Sequence, residues 1–190
     1  FEGDRLSMLG MGCMRFPLTG NDFSQIDIDE TRQLIDYAIK NGINYFDTAW
    51  GYHNGRSETV MGEILKDYPR ESFYLATKFP GYNKDNMSKV EEIFNEQLRK
   101  CQVDYFDFYL MHAMNKGHWD KMLQIGCVER LEQLKAEGKI KYLGFSFHDS
   151  YEVFEEILNY RDWDFCQIQY NYMDTNIQAG DKGYELATSK

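Results

Sequence analysis

Gly42-Ile43-Asn44-Tyr45-Phe46-Asp47-Thr48-Ala49-Trp50-Gly51-Tyr52 is the stretch on which the reading of this chain turns. Asn41-Gly42 has the chemistry of a helix stop, because glycine enters the left-handed conformation without a Cβ penalty. Ile43 to Thr48 reads as a short buried strand. The strand delivers a carboxylate, Asp47, to its carboxyl end, and a phenol, Tyr52, follows five residues later in the loop. Folds built from βα units present their functional groups in this way.

The chain to either side repeats the pattern. Met8 to Cys13 reads as a first strand, with Gly20 and Pro17 in the loop that follows. Asp27 opens a helix, with Glu30 at capping-box spacing. Ile28, Leu34, Ile35, Ala38 and Ile39 form its apolar face. Ser57 reads as the next N-cap, ahead of a Val60, Met61, Ile64, Leu65 stripe. Ser72 to Lys78 is a third strand ending in a lysine. A helix from about Ser88 to Cys101 follows, and Phe106 to Met111 is a fourth strand with His112 at its end. One long helix is expected from Trp119 to Glu137. Ile140 to Ser146 is a fifth strand, and Asp149 or Ser150 caps the helix after it. Asp164 to Tyr170 is a sixth strand, and a last helix begins at Gly183.

Six alternations of strand and helix mean an α/β fold with a parallel sheet and right-handed crossovers. A doubly wound sheet would place Gly-x-Gly-x-x-Gly after its first strand. Here Gly10-Met11-Gly12 runs into Cys13-Met14-Arg15 and a proline, so that fingerprint fails. Functional groups at several strand ends favour a TIM (β/α)8 barrel instead. Such a barrel takes about 250 residues and eight strands. The 190 residues supply signals for six. The expectation is one barrel domain over residues 1–190, incomplete by about two βα units at its C-terminal end.

Composition narrows the function classes. Hydrophobic residues make up 43% and aromatics 16%, a globular balance. With 31 Asp plus Glu against 21 Lys plus Arg, the formal charge is -10, which argues against nucleic acid or an anionic membrane as the main partner. Cys13, Cys101, Cys127 and Cys166 form no Cys-x-x-Cys pair and read as reduced thiols of a cytoplasmic protein. No apolar run is long enough to span a bilayer. The partner expected is a small molecule, and the oligomeric state is not legible.

Asp47, Tyr52, Lys78 and His112 make chemical sense as one unit. A phenol ordinarily titrates near 10, too weak an acid to work well at neutral pH. An ammonium beside it favours the phenolate, and a carboxylate holds the ammonium in place. A histidine can direct a substrate oxygen. The set reads as a general acid and its supports, acting on a carbonyl that becomes an alkoxide when hydride arrives. Trp50 and Tyr82 are candidates for the substrate wall. His53, His118 and His148 take the structural reading, and no metal site is expected, because His112 and His118 lack a zinc-ligand spacing.

The order Asp47, Tyr52, Lys78, His112 resembles the aldo-keto reductase family. So do Leu9-Gly10-Met11-Gly12-Cys13-Met14-Arg15, Leu75-Ala76-Thr77-Lys78, Ile140-Lys141-Tyr142-Leu143-Gly144-Phe145-Ser146 and Gln167-Ile168-Gln169-Tyr170-Asn171. The resemblance implies a (β/α)8 barrel that reduces aldehydes or ketones with NADPH, NADH being left open. It implies that Asp47, Tyr52, Lys78 and His112 are the catalytic four. It places Cys13, Met14 and Asp47 near the nicotinamide ribose, and Ser146 and Gln167 at the carboxamide. Where the family usually has asparagine after the strand-five serine, this chain has Phe147. The Gly-Cys-Met-Arg-Phe-Pro opening resembles a branch that carries an iron-sulfur module after the barrel, and no cluster motif lies within these residues. The alternative reading is a non-catalytic barrel that senses cofactor, or an inactive fragment of a longer reductase.

Overall fold

The computed structural model describes residues 3–190. Its strands lie in one sheet in chain order, β1 to β6. Strand β1 is Met11–Gly12, followed by helix α1 (Ile28–Lys40), β2 (Tyr45–Asp47), α2 (Ser57–Leu65), β3 (Tyr74–Phe79) and α3 (Val90–Cys101). Then come β4 (Phe106–Met114), α4 (Lys116–Gln124), α5 (Cys127–Ala136), β5 (Ile140–Phe147), α6 (Tyr151–Tyr160), β6 (Phe165–Gln167) and α7 (Gly180–Thr188). The β1/β2, β2/β3 and β5/β6 pairs are parallel, each joined by the crossover that parallel pairing needs. The architecture is α/β, an incomplete TIM barrel of six βα units.

The chain divides into two compact units. The first runs up to Lys78 and takes back Glu92–Phe108; the second holds Phe79–Glu91 and Tyr109–Lys190. In the first, Ile35, Phe46, Val60, Met61, Ile64, Leu75, Phe94 and Phe106 are buried together as core. Helices α2 and α3 approach closely at Gly62, where a Cβ would lie 2.3 Å from the Lys100 carbonyl oxygen. Asp107 is buried against the Arg70 guanidinium (2.6 Å) and also accepts the Leu75 N–H (2.9 Å). In the second unit the core is Tyr109, Leu110, Met111, Trp119, Met122, Leu143, Phe145, Phe147 and Phe154.

Several local expectations are corrected. The predicted helix from Trp119 to Glu137 is two helices, because Gly126 turns left-handed (φ 64°) between α4 and α5. Ser57 is not an N-cap: Arg56 holds that place, and the Ser57 hydroxyl is used elsewhere. Strands β1, β2 and β6 are shorter than their apolar runs, and β4 continues two residues past His112. Leu34 lies exposed, off the α1 face assigned to it. Asp27 does cap α1, its carboxylate accepting the Glu30 N–H at 2.9 Å. All four cysteines are free thiols. Among the described residues no helix is long and apolar enough to cross a membrane.

Candidate active site

Parallel strands β2 and β3 bring their carboxyl ends side by side in the first unit, with Asp47 opposite Ala76. Asp47 closes β2, and Lys78 emerges near the end of β3. A short 3-10 turn, Tyr52–Gly55, returns the chain so that Tyr52 meets both. The Lys78 ammonium is buried and donates three hydrogen bonds: to Asp47 Oδ1 (2.5 Å), to the Thr48 carbonyl (2.8 Å) and to Tyr52 Oη (3.1 Å). An ammonium has three hydrogens and no lone pair, so all three are committed. The Tyr52 oxygen can therefore only accept from Lys78, and the phenol's own hydrogen takes no part in that bond.

A second layer fixes these strand ends. A carbonyl can only accept, so the Ser57 hydroxyl donates to the Cys13 carbonyl (2.8 Å). It must then accept from Thr48 Oγ1 (2.8 Å). Glu58, beside it, is fully buried and accepts from Thr77 Oγ1 (2.7 Å) and Gln97 Nε2 (2.6 Å). Gln97 also reaches the Lys78 carbonyl (3.0 Å). Burial pushes the Glu58 carboxyl above its ordinary range, against the pull of Thr77, Lys100 and Gln97. Sequence reasoning passed over Glu58 and Gln97. Their signal was a polar side chain in a buried register: Glu58 falls in line with Met61 and Leu65, and Gln97 with Ile93, Phe94 and Cys101.

Cys13 donates its N–H to the Asp47 carbonyl at 2.8 Å, which extends the β1/β2 ladder to the site. Its thiol is buried and pushed far above the ordinary range, first by burial and then by the Asp47 carboxylate. Met14, next along, is exposed. Trp50 carries the Lys100 ammonium 3.9 Å over its ring.

The second unit holds the remaining candidates. His112 stands two residues from the end of β4, and the Tyr82 ring meets it edge-on at 5.3 Å. Ala113 is left-handed (φ 55°), a conformation that costs an L-residue free energy. Hydrogen bonds hold it there: its N–H donates to Ser146 Oγ (2.8 Å), and its carbonyl takes the His118 Nδ1 hydrogen (2.8 Å). His148 lies 3.3 Å from Gln178 Oε1 through Nδ1. Ser146 and Gln167 face one another in register across β5 and β6. The Ser146 oxygen accepts from Ala113, so its hydroxyl hydrogen is the part left to donate. A hydroxyl donor in register with a side-chain amide is chemistry that suits a group presenting both an acceptor and donors. Among the described residues no group of three His, Cys, Asp or Glu could hold a metal ion.

Comparison with known proteins follows the same lines. A family model described as "Aldo/keto reductase family" matches residues 8–181. The chain is 34% identical over 154 residues to a probable aldo-keto reductase 1 of Glycine max, covering 76% of this chain and 42% of that protein. It is 30% identical over 194 residues to an NADH-specific methylglyoxal reductase of Escherichia coli, covering 91% of this chain and 58% of that one. The holo form of an aldo-keto reductase from Bacillus halodurans superposes with a TM-score of 0.68 at 29% identity, over 87% of this chain and 54% of the other. This chain thus spans about half the length of such relatives. With six βα units in barrel order, a buried lysine tied to an aspartate and a tyrosine at its strand ends, and a family match over nearly its whole length, the chain belongs to the aldo/keto reductase family.

Proposed function

We propose that the complete protein reduces a small aldehyde or ketone, with Tyr52 as the proton donor. The observation that carries this reading is the Lys78 ammonium, which donates to Tyr52 Oη at 3.1 Å while Asp47 holds it at 2.5 Å. As Tyr52 gives its proton to the developing alkoxide, negative charge gathers on the phenol oxygen. Lys78 already donates to that atom, so the charge is met without rearrangement, and preorganised donors of this kind lower the barrier. Asp47 balances the ammonium and fixes its direction. His112, edge-on to Tyr82, is assigned to direct the carbonyl oxygen. Tyr82 and Trp50 are assigned to the substrate wall, and Tyr82 is the better supported by its contact with His112.

A reduced nicotinamide cofactor, when bound, supplies the hydride. Ser146 and Gln167 would hold its carboxamide, and Cys13, Met14 and Asp47 the ribose beside it. The family resemblance favours NADPH. The E. coli relative is named as NADH-specific, so both dinucleotides belong in the test. The reaction is placed in the cytoplasm, a setting that suits four free thiols.

The test is to titrate each reduced dinucleotide into the complete protein and follow its oxidation with a reactive dicarbonyl, beside Tyr52→Phe. Turnover should fall by about 10²- to 10⁴-fold in the variant, with cofactor affinity retained. Undiminished turnover in Tyr52→Phe would sink the mechanism. Tight cofactor binding without turnover in the unaltered protein would favour a sensing role.

A further inference from the structure

The residue after Tyr52 is a histidine that the proposed chemistry does not use. His53 is wholly buried, and both its ring nitrogens are engaged. Nε2 receives the backbone N–H of Phe16 at 2.9 Å, and Nδ1 lies 2.8 Å from the Phe23 carbonyl. An N–H can only donate and a carbonyl can only accept. Nε2 is therefore the bare nitrogen and Nδ1 carries the hydrogen, so the ring is neutral and in one tautomer. The Phe23 ring stacks on it at 4.3 Å and 17°, and the Phe16 ring at 5.5 Å and 15°.

Phe16 and Phe23 are the two arms of the loop between β1 and α1. That loop folds back on itself: Leu18 bridges to Ile26, and the Asp27 N–H reaches the Pro17 carbonyl at 2.8 Å. It begins with Cys13 and Met14. His53 thus joins the Tyr52 turn to the loop that carries the residues assigned to the nicotinamide side. The turn has a hydrogen bond of its own, from the Arg56 N–H to the His53 carbonyl (3.0 Å), but its backbone is costly. His53 (φ 52°) and Asn54 (φ 53°) are consecutive left-handed residues and neither is glycine, a conformation that persists only where surroundings over-determine it.

We propose that His53 is a positioning residue for Tyr52: as a neutral imidazole it clips both arms of the β1–α1 loop and so sets the phenol's place over Lys78. The inference rests on the proposed reduction. His53 touches no reacting atom and acts through the backbone it anchors. Reaction rates respond steeply to such placement, because a misplacement of about 1 Å can cost on the order of 10²-fold.

The experiment uses the complete protein with His53→Phe, His53→Gln and Tyr52→Phe. Phenylalanine keeps the ring stack and loses both hydrogen bonds; glutamine restores an acceptor for the Phe16 N–H. In His53→Phe, kcat should fall by about 10- to 100-fold. The solvent deuterium isotope effect on kcat should rise, because proton delivery becomes slow, and His53→Gln should recover part of the rate. A merely structural histidine would lower the melting temperature and leave the isotope effect unmoved, and that result would overturn the proposal. Should His53→Phe fail to fold, the same two readouts on His53→Gln and His53→Asn decide: wild-type values in both would overturn it. If Tyr52→Phe abolishes turnover while the His53 variants match wild type, only the positioning role fails. If Tyr52→Phe retains turnover, the reduction mechanism fails and takes this role with it.

Discussion

Glu58 is a carboxyl in a place where a carboxylate is costly, since it has no exposed surface and two neutral donors against one oxygen. Its raised value means that the folded chain holds the proton more tightly than the unfolded chain does. The stability this confers is complete below the ordinary value of 4.5 and is lost as the pH rises through the raised folded value. Glu58→Gln removes the titration and keeps an oxygen for Thr77 and Gln97, but sets an amide NH2 against the Lys100 ammonium, at a cost of about 1–3 kcal/mol. The stability gap between wild type and variant should therefore narrow from acid to neutral pH, as followed by urea denaturation at stepped pH. A gap that does not change with pH would show that the carboxyl titrates as it would in water. This residue also marks a limit of reading by sequence. Asp47, Tyr52 and Lys78 were legible because strand ends are where βα folds put their chemistry. Glu58 and Gln97 were not, because a periodicity argument counts apolar residues and treats a polar one in the same register as a gap.

At the scale of elements, the alternation of strands and helices came through and the boundaries did not. Apolar content does not say where a ladder ends: β2 keeps only Tyr45–Asp47 of the run from Ile43 to Thr48. The two-helix segment from Lys116 to Ala136 looked continuous because Met122, Val128 and Leu131 keep helical spacing, and Gly126 reads as a tolerated interior glycine until its left-handed φ is seen. The α2–α3 contact is another feature set by a missing side chain. A methyl group at Gly62 would press on backbone atoms of Lys100 and Cys101, which cannot swing aside as a side-chain tip would. Gly62→Ala should cost about 1–3 kcal/mol and lower the denaturation midpoint with little change in slope. Because Lys100 lies in the last turn of α3 and against Trp50 and Glu58, the displacement should also reach the site, visible as altered Trp50 fluorescence. A midpoint equal to wild type would mean the helices have room to separate.

Across the 190 residues the formal charge is -10, so an anionic dinucleotide would depend on local donors. Aldehydes and dicarbonyls condense with free amines, and an enzyme that gathers them exposes its own lysines to that damage. Lys78 would be the worst placed. Yet condensation begins with a nitrogen lone pair, and Lys78 has three hydrogens committed to Asp47, the Thr48 carbonyl and Tyr52. After incubation with a dicarbonyl and borohydride trapping, peptide mapping should find adducts on exposed lysines such as Lys116 and Lys139, with Lys78 intact. Modification of Lys78 at a comparable rate would show that its bonds open often. Held as it is, the buried ion pair makes the site chemically durable toward the compounds it is proposed to consume.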